Sequence, residues 1–435
     1  MNFKAEDLNR EDLIKLVKKQ QEEIQKLERE LKKYKNSNTP SSANTHLKLN
    51  TRVSSNPKCR GAPHGHIGIN RPQKEADEDR HITAEVCPNC HAKGIKTVGQ
   101  KIQQVEELPP EIQPKIINVT RDICECTKCH LKFLATDGRT PVQGKFGINI
   151  MVLVIFLKFI IRGVLRKTAN FMDASFALKL APATVQAIIE RASKAGEQEY
   201  GALKLKIRGA KLLYIDETSF RVLGKNWWVW AFRSDTDLLL VIRHSRGNNV
   251  LEEILGKDYA GIVVCDCWRA YDYLSNATIQ RCWAHLLRKS KELDSVAGRH
   301  FHKKLSTLFN EIIKFNSKER NEKQRLQKYK QMTAKIKNII AHYSHYEECE
   351  AVRKYIDFHI ESWFTCIKMP GVQPTNNYAE QAIRETVVVR KIIGAFRSTN
   401  GTTVYETLAS LIATWQMQKL DIQKELSRML SANIC

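Results

Sequence analysis

Four short runs of apolar and β-branched residues stand out in the middle of the chain. They cover residues 211–215, 227–232, 238–243 and 261–264, and each has the length of a buried strand. A helical pattern begins near Val250, between the third and fourth runs, and another passes through Trp268 and Tyr271. The sequence therefore predicts an α/β domain in which three strands, a helix, a fourth strand and a further helix follow one another.

Helical periodicity dominates much of the remaining chain. We expect helices over residues 147–206 and 303–355, and an amphipathic helix over residues 402–429 with a break near Leu420. Within the first of these regions, residues 167–175 and 181–191 are similar to a helix-turn-helix, with Pro182 in the first turn of the second helix. Three packed helices without any DNA contact would give the same pattern.

The first residues, up to about Tyr34, carry a heptad pattern with Glu and Lys between the seam positions. The seam runs through Leu13, Val17, Gln20, Ile24, Leu27, Leu31 and Tyr34. A short parallel coiled coil, in which Gln20 sets the register, fits this pattern, and so does one amphipathic helix packed on its own domain. The coiled coil would make the protein a homodimer or a higher oligomer.

The charge balance indicates a polyanionic partner, with nucleic acid favoured over a membrane. The formal net charge is +23, and residues 31–74 contain nine Lys and Arg but no Asp or Glu. This segment is rich in Ser, Asn, Gly and Pro, so we expect an extended or disordered arm. Its Lys48, Arg52 and Arg60 are candidates for contacts with DNA phosphates. A generally basic surface is the alternative.

No segment resembles a signal peptide, and the most apolar stretch is too short to span a bilayer. That stretch covers residues 148–161 and contains Lys158. We therefore expect a cytoplasmic protein that does not enter a membrane. In a reducing compartment, paired cysteines usually bind a metal rather than forming disulfides.

Two CxxC pairs predict a structural zinc site in a zinc-ribbon-like module. The four expected thiolate ligands are Cys87, Cys90, Cys126 and Cys129. Four protein ligands would leave no open position for a substrate, so the Zn²⁺ would be structural. Alternative ligands near the two pairs are Cys124, His91 and His130.

Three carboxylates lie where chemistry is expected. Asp216 and Asp266 come at the ends of predicted strands, and Glu380 lies in the first turns of a predicted helix. Each alone could be a solvated charge. Together they match a ribonuclease-H-like mixed sheet, whose site holds two Mg²⁺ or Mn²⁺ ions for phosphodiester chemistry. Asp216 is the candidate bridging ligand on the central strand, whereas Glu217 should point to the opposite face and be structural.

Basic residues near these carboxylates are candidates for DNA contacts. His285 and Arg288 begin a helix soon after Asp266, and Arg384 lies one turn beyond Glu380. Arg384 could pair with Glu380 or bind a phosphate. His285 could lie near the scissile phosphate or be an ordinary helix residue. Further candidates along this basic track are Arg390, Lys391 and Arg397.

Over nearly its whole length the chain resembles the DDE transposases of the insertion-sequence-66 family. The matching residues are Asp216-Glu-Thr, Asp266 with Trp268 and Tyr271, Cys282-x-x-His285-x-x-Arg288, Asn376-Asn-Tyr-Ala-Glu380, Ile383-Arg384 and Arg390-Lys391. The amino-terminal order of zipper-like helix, Ser- and Asn-rich segment and cysteine pairs also fits. Gln381, where relatives often have Arg, is a departure that puts one DNA contact in doubt.

This resemblance implies a transposase that binds the terminal inverted repeats of its element. It would cut double-stranded DNA at the element ends and join the 3′-hydroxyls to target DNA, with Asp216, Asp266 and Glu380 as metal ligands. Helper proteins encoded by the element are possible partners. The alternatives are a non-catalytic DNA-binding regulator derived from a transposase and a structure-specific nuclease on the same fold.

The predicted organisation has six segments in chain order. A coiled-coil-like helix (1–36), a basic arm (37–80) and a zinc-binding module (81–140) come first. A helical, helix-turn-helix-like domain (141–208) leads into the ribonuclease-H-like domain (209–400), which carries an all-α insertion at about 295–370. C-terminal helices (401–435) complete the chain.

Overall fold

The computed structural model describes residues 112–434 without a break, together with short stretches and single residues between 14 and 105. The chain forms two compact units, Ser41–Pro114 and the remainder, Met1–Pro40 with Lys115–Cys435. The architecture below is that of the described part of the second unit. The basic-arm candidates and the first cysteine ligand lie outside the described residues: Lys48, Arg52, Arg60 and Cys87.

The described residues of the heptad segment are helical. They fall between Ile14 and Leu27, and the seam residues Val17, Ile24 and Leu27 are exposed. The described seam residues are therefore not packed on the rest of the described chain. The coiled coil and the oligomeric state therefore stay predictions.

A small hairpin precedes a six-stranded mixed sheet. The hairpin consists of β1 (Ile123–Glu125) and β2 (Lys132–Leu134). The strands of the mixed sheet are β3 (Leu212–Val222), β4 (Lys225–Arg233), β5 (Leu238–Arg243), β6 (Ile262–Cys265), β7 (Thr278–Arg281) and β8 (Ala395–Phe396). The order is β5-β4-β3-β6-β7, with β8 beside the far end of β3. β3, β4 and β5 are antiparallel neighbours, whereas β6 and β7 run parallel to β3.

All four predicted strands are present, but the first is longer than expected. Asp216 does not lie at the end of β3, because the strand continues to Val222. Pairing with β4 holds throughout this extension and finishes with Val222 opposite Lys225. The two turn residues, Leu223 and Gly224, both have positive φ, as the favoured two-residue hairpin turn requires.

Helices cover both faces of the sheet. Before it come α1 (Ile148–Phe159), α2 (Leu165–Phe176), α3 (Pro182–Ala195) and α4 (Glu197–Arg208), and α5 (Asn248–Leu255) joins β5 to β6. The insertion contains α6 (Trp283–Lys291), α7 (Val296–Asn316), α8 (Glu322–His342), α9 (Glu350–Asp357) and α10 (Thr365–Lys368). The chain continues with α11 (Asn377–Ile393), α12 (Thr399–Met417) and α13 (Ile422–Ile434). Within the described residues, no helix combines the length and the apolar character needed to cross a membrane.

The alternation of side chains along β3 assigns each helical layer to a face. Leu213 and Ile215 join a core shared with α1–α5, α12 and α13. Tyr214 faces the other way and joins the core of the helical insertion. Phe220 and Val222, on the same face as Tyr214, pack with α11 and α12. Because side chains alternate along a strand, Asp216 lies on the face between the insertion and α11.

The helix-turn-helix-like pair is formed by α2 and α3. Pro182 occupies the start of α3, as expected, and Ala177 ends α2 in the left-handed conformation. Residues 147–206 share one hydrophobic core with the sheet. Contact of this pair with DNA stays a prediction.

Helix α12 supplies hydrogen-bond acceptors to the backbone of β5. Its residues Thr414, Ser410 and Glu406 are four apart, and their side-chain oxygens accept from alternate N–H groups of the strand. The distances are 3.0, 2.9 and 2.6 Å, at Leu238, Leu240 and Ile242 respectively. Four helical residues rise about 6 Å and two strand residues about 6.7 Å, so the helix side chains match the strand spacing.

Candidate active site

The register of two parallel strands brings Asp216 and Asp266 side by side. Tyr214 of β3 lies opposite Val264 of β6. Two residues further along each chain come Asp216, still within β3, and Asp266, directly after β6. Neighbouring strands are separated by about 4.8 Å and side chains repeat every second residue. The two carboxylates therefore belong to the same face at adjacent positions.

Helix α11 packs on the face of the sheet that carries Asp216, and it brings Glu380 to this pair. The helix packs on β3 and β4, and Glu380 lies in its first turn. Asn376 precedes the helix and is fully buried. Its side-chain Nδ2 donates to the carbonyl oxygen of Ile215 at 2.7 Å, so the start of α11 is bound to the residue next to Asp216.

The backbone and the side chain of Asn376 hold the start of α11 in different ways. The residue occupies the capping position, but its side chain makes no capping hydrogen bond. Its backbone N–H donates to Cys282 Sγ at 3.1 Å, and its backbone carbonyl accepts from Glu380 N at 3.1 Å. The amide group serves β3 instead, because Asn376 is buried against the sheet.

The pKa of Asp216 is affected by the other carboxylates of the cluster. Burial raises its pKa, and the negative charges of Glu217, Asp266 and Glu380 raise it further, to about 8. Like charges held together in a partly dry site disfavour ionisation of one another. Such a cluster favours the binding of a cation, because the positive charge offsets the repulsion between the carboxylates.

Three polar atoms around Glu380 are buried without a hydrogen-bond partner in the described part of the chain. They are Glu380 Oε1, His285 Nδ1 and Asn376 Oδ1. The first two are 3.7 Å apart, beyond hydrogen-bonding distance. Burial lowers the pKa of His285, against the opposing effects of Asp266 and Glu380. Unpartnered buried polar atoms are rare, and a group of three is expected where an ion or ordered water binds.

Cys282, His285 and Glu380 also form a mixed donor group. Their sulfur, nitrogen and oxygen atoms lie within 4.8 Å of one another. Glu380 thus faces two donor sets, one made of carboxylates and one containing a thiol and an imidazole. Mg²⁺ and Mn²⁺ prefer the first set, because oxygen is their favoured ligand.

Glu217 lies on the opposite face of β3 and is tied into the protein, as expected. Its carboxylate pairs with Arg246 at 2.8 Å and accepts a hydrogen bond from Tyr271 Oη at 2.7 Å. Burial raises the pKa of Glu217 and Asp266 adds to the effect, while Tyr271 and Arg246 oppose it. The side chain is therefore a structural neighbour of the carboxylate cluster.

The backbone around Asp266 is held by two donors. Asp266 Oδ1 accepts from Trp268 N at 2.8 Å, and the Asp266 carbonyl accepts from Arg281 Nη1 at 2.6 Å. Arg281 is itself buried and pairs with Asp272 at 2.5 Å. These contacts set the direction of the Asp266 carboxylate before any ligand binds.

Residues 143–404 match the family model described as Transposase IS66 family. The match covers more than half of the 435 residues. The chain belongs to the IS66 transposase family. The matched range includes the whole mixed sheet, the helical insertion and all three carboxylates. No curated protein matches the chain. Membership of a transposase family implies a protein that acts on DNA, in agreement with its basic charge.

In this IS66 family member the basic candidates fall into two groups. Arg288, Arg384, Lys391 and Arg397 are exposed. His285 is half-buried beside Glu380. Arg390 is buried, and its guanidinium donates to the carbonyl of Ser219 and to Thr218 Oγ1. In this structure Arg390 therefore fastens α11 to β3, whereas the exposed group is free to meet phosphate.

The second cysteine pair of this family member forms a tight turn. Cys126 N donates to Leu131 O at 3.0 Å, and His130 N donates to Cys126 O at 2.9 Å. His130 has φ 56°, and His91, which follows Cys90 in the first pair, has φ 59°. Hydrogen bonds from the backbone N–H groups of Cys129 and Lys128 lower the pKa of Cys126. Zinc binding stays a prediction, since Cys87 lies outside the described residues.

Sequence reasoning missed several residues that surround the carboxylates. Arg246 and Arg281 were not singled out, although both contact groups next to the site. Their signal was weak because each is one Arg among many in a basic chain. Asn376 was named only as part of the Asn376-Asn-Tyr-Ala-Glu380 motif, because its bond to Ile215 depends on which strand α11 crosses.

Proposed function

We propose that this protein is a DDE transposase with a ribonuclease-H-like core. It would bind the terminal inverted repeats of its insertion sequence, cut DNA strands at the element ends and join the 3′-hydroxyls to target DNA. Asp216, Asp266 and Glu380 would form its active site. The order of strands, with three antiparallel strands followed by two parallel ones, supports this core.

One observation carries the proposal: the parallel register of β3 and β6 and the packing of α11 on β3 bring Asp216, Asp266 and Glu380 together. Burial and the charges of Glu217, Asp266 and Glu380 raise the pKa of Asp216 accordingly. The three residues are separated by 50 and 114 positions in sequence, yet they act on one another electrostatically. Repulsion of this kind costs stability and is uncommon away from functional sites. A site for cations accounts for it.

The donor set fits two Mg²⁺ or Mn²⁺ ions. Asp216, Asp266 and Glu380 supply carboxylate oxygens, and Glu380 Oε1 is buried without a hydrogen-bond partner among the described residues. When bound, such ions activate a water or a 3′-hydroxyl and stabilise the leaving oxygen in phosphodiester chemistry. Asp216, on the central strand, would hold these ions together with Asp266 and Glu380.

The chain's own residues orient the site and the DNA. Asn376 keeps the first turn of α11 against β3, and Trp268 N keeps the Asp266 carboxylate in place. Burial lowers the pKa of His285, which favours its neutral form, and this imidazole would hydrogen-bond to a reacting water or hydroxyl. Exposed Arg288 and Arg384 would hold the phosphates near the cut.

The test is strand cleavage and joining by the purified protein, with Mg²⁺ or Mn²⁺ and DNA carrying the element ends. Wild type is compared with Asp216→Asn, and with Asp258→Asn, which changes an exposed Asp outside the carboxylate cluster. We expect product from wild type and Asp258→Asn and a loss of about a hundredfold or more in Asp216→Asn. Equal product from all three proteins would contradict the assignment.

Binding without any cleavage, even with element-encoded helper proteins present, would favour the regulator. Cleavage of branched DNA without end specificity or strand transfer would favour the nuclease. Binding of element ends is expected to weaken steeply with salt, because phosphate contacts release counterions.

A further inference from the structure

Trp268 is the most exposed of the seven tryptophans, all of which lie in the described part of the chain. Its side chain is 40% exposed. Trp230 and Trp283, by contrast, are fully buried. Trp268 follows Asp266 by two residues, so a large apolar ring faces solvent beside a candidate metal ligand.

The indole of Trp268 is held in one orientation. Its Nε1 donates to the carbonyl of Arg246 at 3.0 Å. The guanidinium of Arg246 lies 4.1 Å from the centre of the Trp268 ring and 4.7 Å from that of Trp228. Arg246 is thus clasped between two indoles. Since the guanidinium covers one face of Trp268, the exposed area belongs to the rest of the ring.

The clasp is itself anchored in the interior. Arg246 pairs with Glu217, whose side chain is 1% exposed, and Tyr271 Oη donates to the other carboxylate oxygen. Tyr271 is fully buried. The Trp268 ring therefore packs on a guanidinium that is itself bound to buried groups. Its side chain loses little conformational freedom when a ligand stacks on it. Such preorganisation strengthens binding, because less ordering remains to be done.

We propose that Trp268 is a stacking platform for one unpaired nucleobase of the DNA held at Asp266. This inference rests on the proposed function, because the DNA brings the base to the ring. Aromatic rings bind bases of any sequence by stacking. A base inside a duplex is already stacked on its neighbours, so the occupant is a base displaced from the helix next to the cut.

The first experiment removes bases instead of side chains. Element-end duplexes, each with an abasic residue at one position flanking the cut, are cleaved under single-turnover conditions by wild type and Trp268→Ala. At one position we expect removal of the base to change the wild-type rate about tenfold and to leave the Trp268→Ala rate unchanged. A structural role for Trp268 would not depend on the base. If every position gives the same ratio in both proteins, the platform does not exist.

The second experiment needs no cleavage. A duplex with 2-aminopurine at each flanking position in turn is bound without added Mg²⁺ or Mn²⁺, so that no strand is cut. Wild type should quench the fluorescence at one position through stacking, Trp268→Ala should not, and Trp268→Phe should retain most of the quenching. Quenching that is identical in wild type and Trp268→Ala would overturn the inference.

The two experiments separate this inference from the proposed function. Trp268-dependent quenching without cleavage would uphold the platform and contradict a functional active site. Cleavage without Trp268-dependent quenching would do the reverse. Trp268→Leu keeps apolar bulk and replaces Trp268→Ala if that variant unfolds. Phe358→Ala, which removes a 69% exposed aromatic ring on the insertion, is the control and should behave as wild type in both assays.

Discussion

We expect the hydrogen bond from Asn376 to Ile215 to be needed for fast cleavage, although Asn376 itself does not touch the substrate. Asn376 is fully buried, and its Nδ2 lies 2.7 Å from the carbonyl oxygen next to Asp216. Asn376→Ala removes this donor and leaves a buried carbonyl with one partner fewer. The loss of such a partner costs about 1–3 kcal/mol. We therefore expect the free energy of unfolding to fall by that amount.

The effect on rate should exceed the effect on stability. The backbone carbonyl of Asn376 also accepts a hydrogen bond from Glu380 N. A shift of Asn376 would therefore move the start of α11, which carries the candidate metal ligand. A misplacement of about 1 Å in a catalytic group lowers rates by about a hundredfold. We expect single-turnover cleavage of element-end DNA by Asn376→Ala to be slower by about ten- to a hundredfold at saturating Mg²⁺, with DNA binding retained.

The neighbouring Asn377 provides a matched control. It is exposed, so Asn377→Ala should change the unfolding free energy by less than about 0.5 kcal/mol and leave the cleavage rate near wild type. Urea unfolding and the cleavage assay are measured on both variants. If Asn376→Ala cleaves as fast as Asn377→Ala, the buried amide does not position Glu380, and this account of the site fails.

Three other features lead to direct tests. A folded-state pKa of about 8 for Asp216 means that its protonated form stabilises the metal-free fold, an effect lost as pH rises through about 8. In chelating buffer, wild type should lose up to about 1.4 kcal/mol per pH unit across roughly pH 4–8 relative to Asp216→Asn, measured by urea unfolding; parallel curves would refute this. Thr414→Val removes the buried hydroxyl that accepts from Leu238 N and should lower the free energy of unfolding in urea by about 1–3 kcal/mol. Thr403 is exposed, so Thr403→Val should lower it little. Equal losses in the two variants would count against the role of α12. Replacing Cys126 and Cys129 together by Ser should abolish bound zinc in metal analysis, and an unchanged zinc content would disprove the zinc prediction.

Four of the six strands were predictable because each apolar run is short and bounded by polar residues, whereas β7 and β8 were not predicted. The length of β3 was not predicted either. Its outer half contains Glu217, Thr218 and Ser219, a polar run that imitates the end of a strand. These positions are covered by α11 and by buried partners, which lie far away in sequence. Local hydrophobicity could not report contacts of that kind.

The three carboxylates were identifiable from sequence, but the role of their neighbours was not. Arg390 has the spacing of an exposed cation on a helix, yet it donates to Thr218 and Ser219. This contact exists only because β3 continues past Asp216 and α11 crosses it. Glu217 was correctly assigned to the opposite face, since alternation along a strand depends only on local geometry. Contacts that depend on which strand a helix crosses cannot be predicted without the three-dimensional structure.

The row of α12 side chains along β5 has a consequence for how copies of this protein can assemble. An uncovered sheet edge attracts further chains, which add to it as extra strands and can lead to aggregation. Here the outward N–H groups of Leu238, Leu240 and Ile242 are already satisfied. No peptide can zip onto this side without first displacing a helix. The β5 edge is therefore closed to strand addition, and copies of the protein cannot pair through it while α12 is in place.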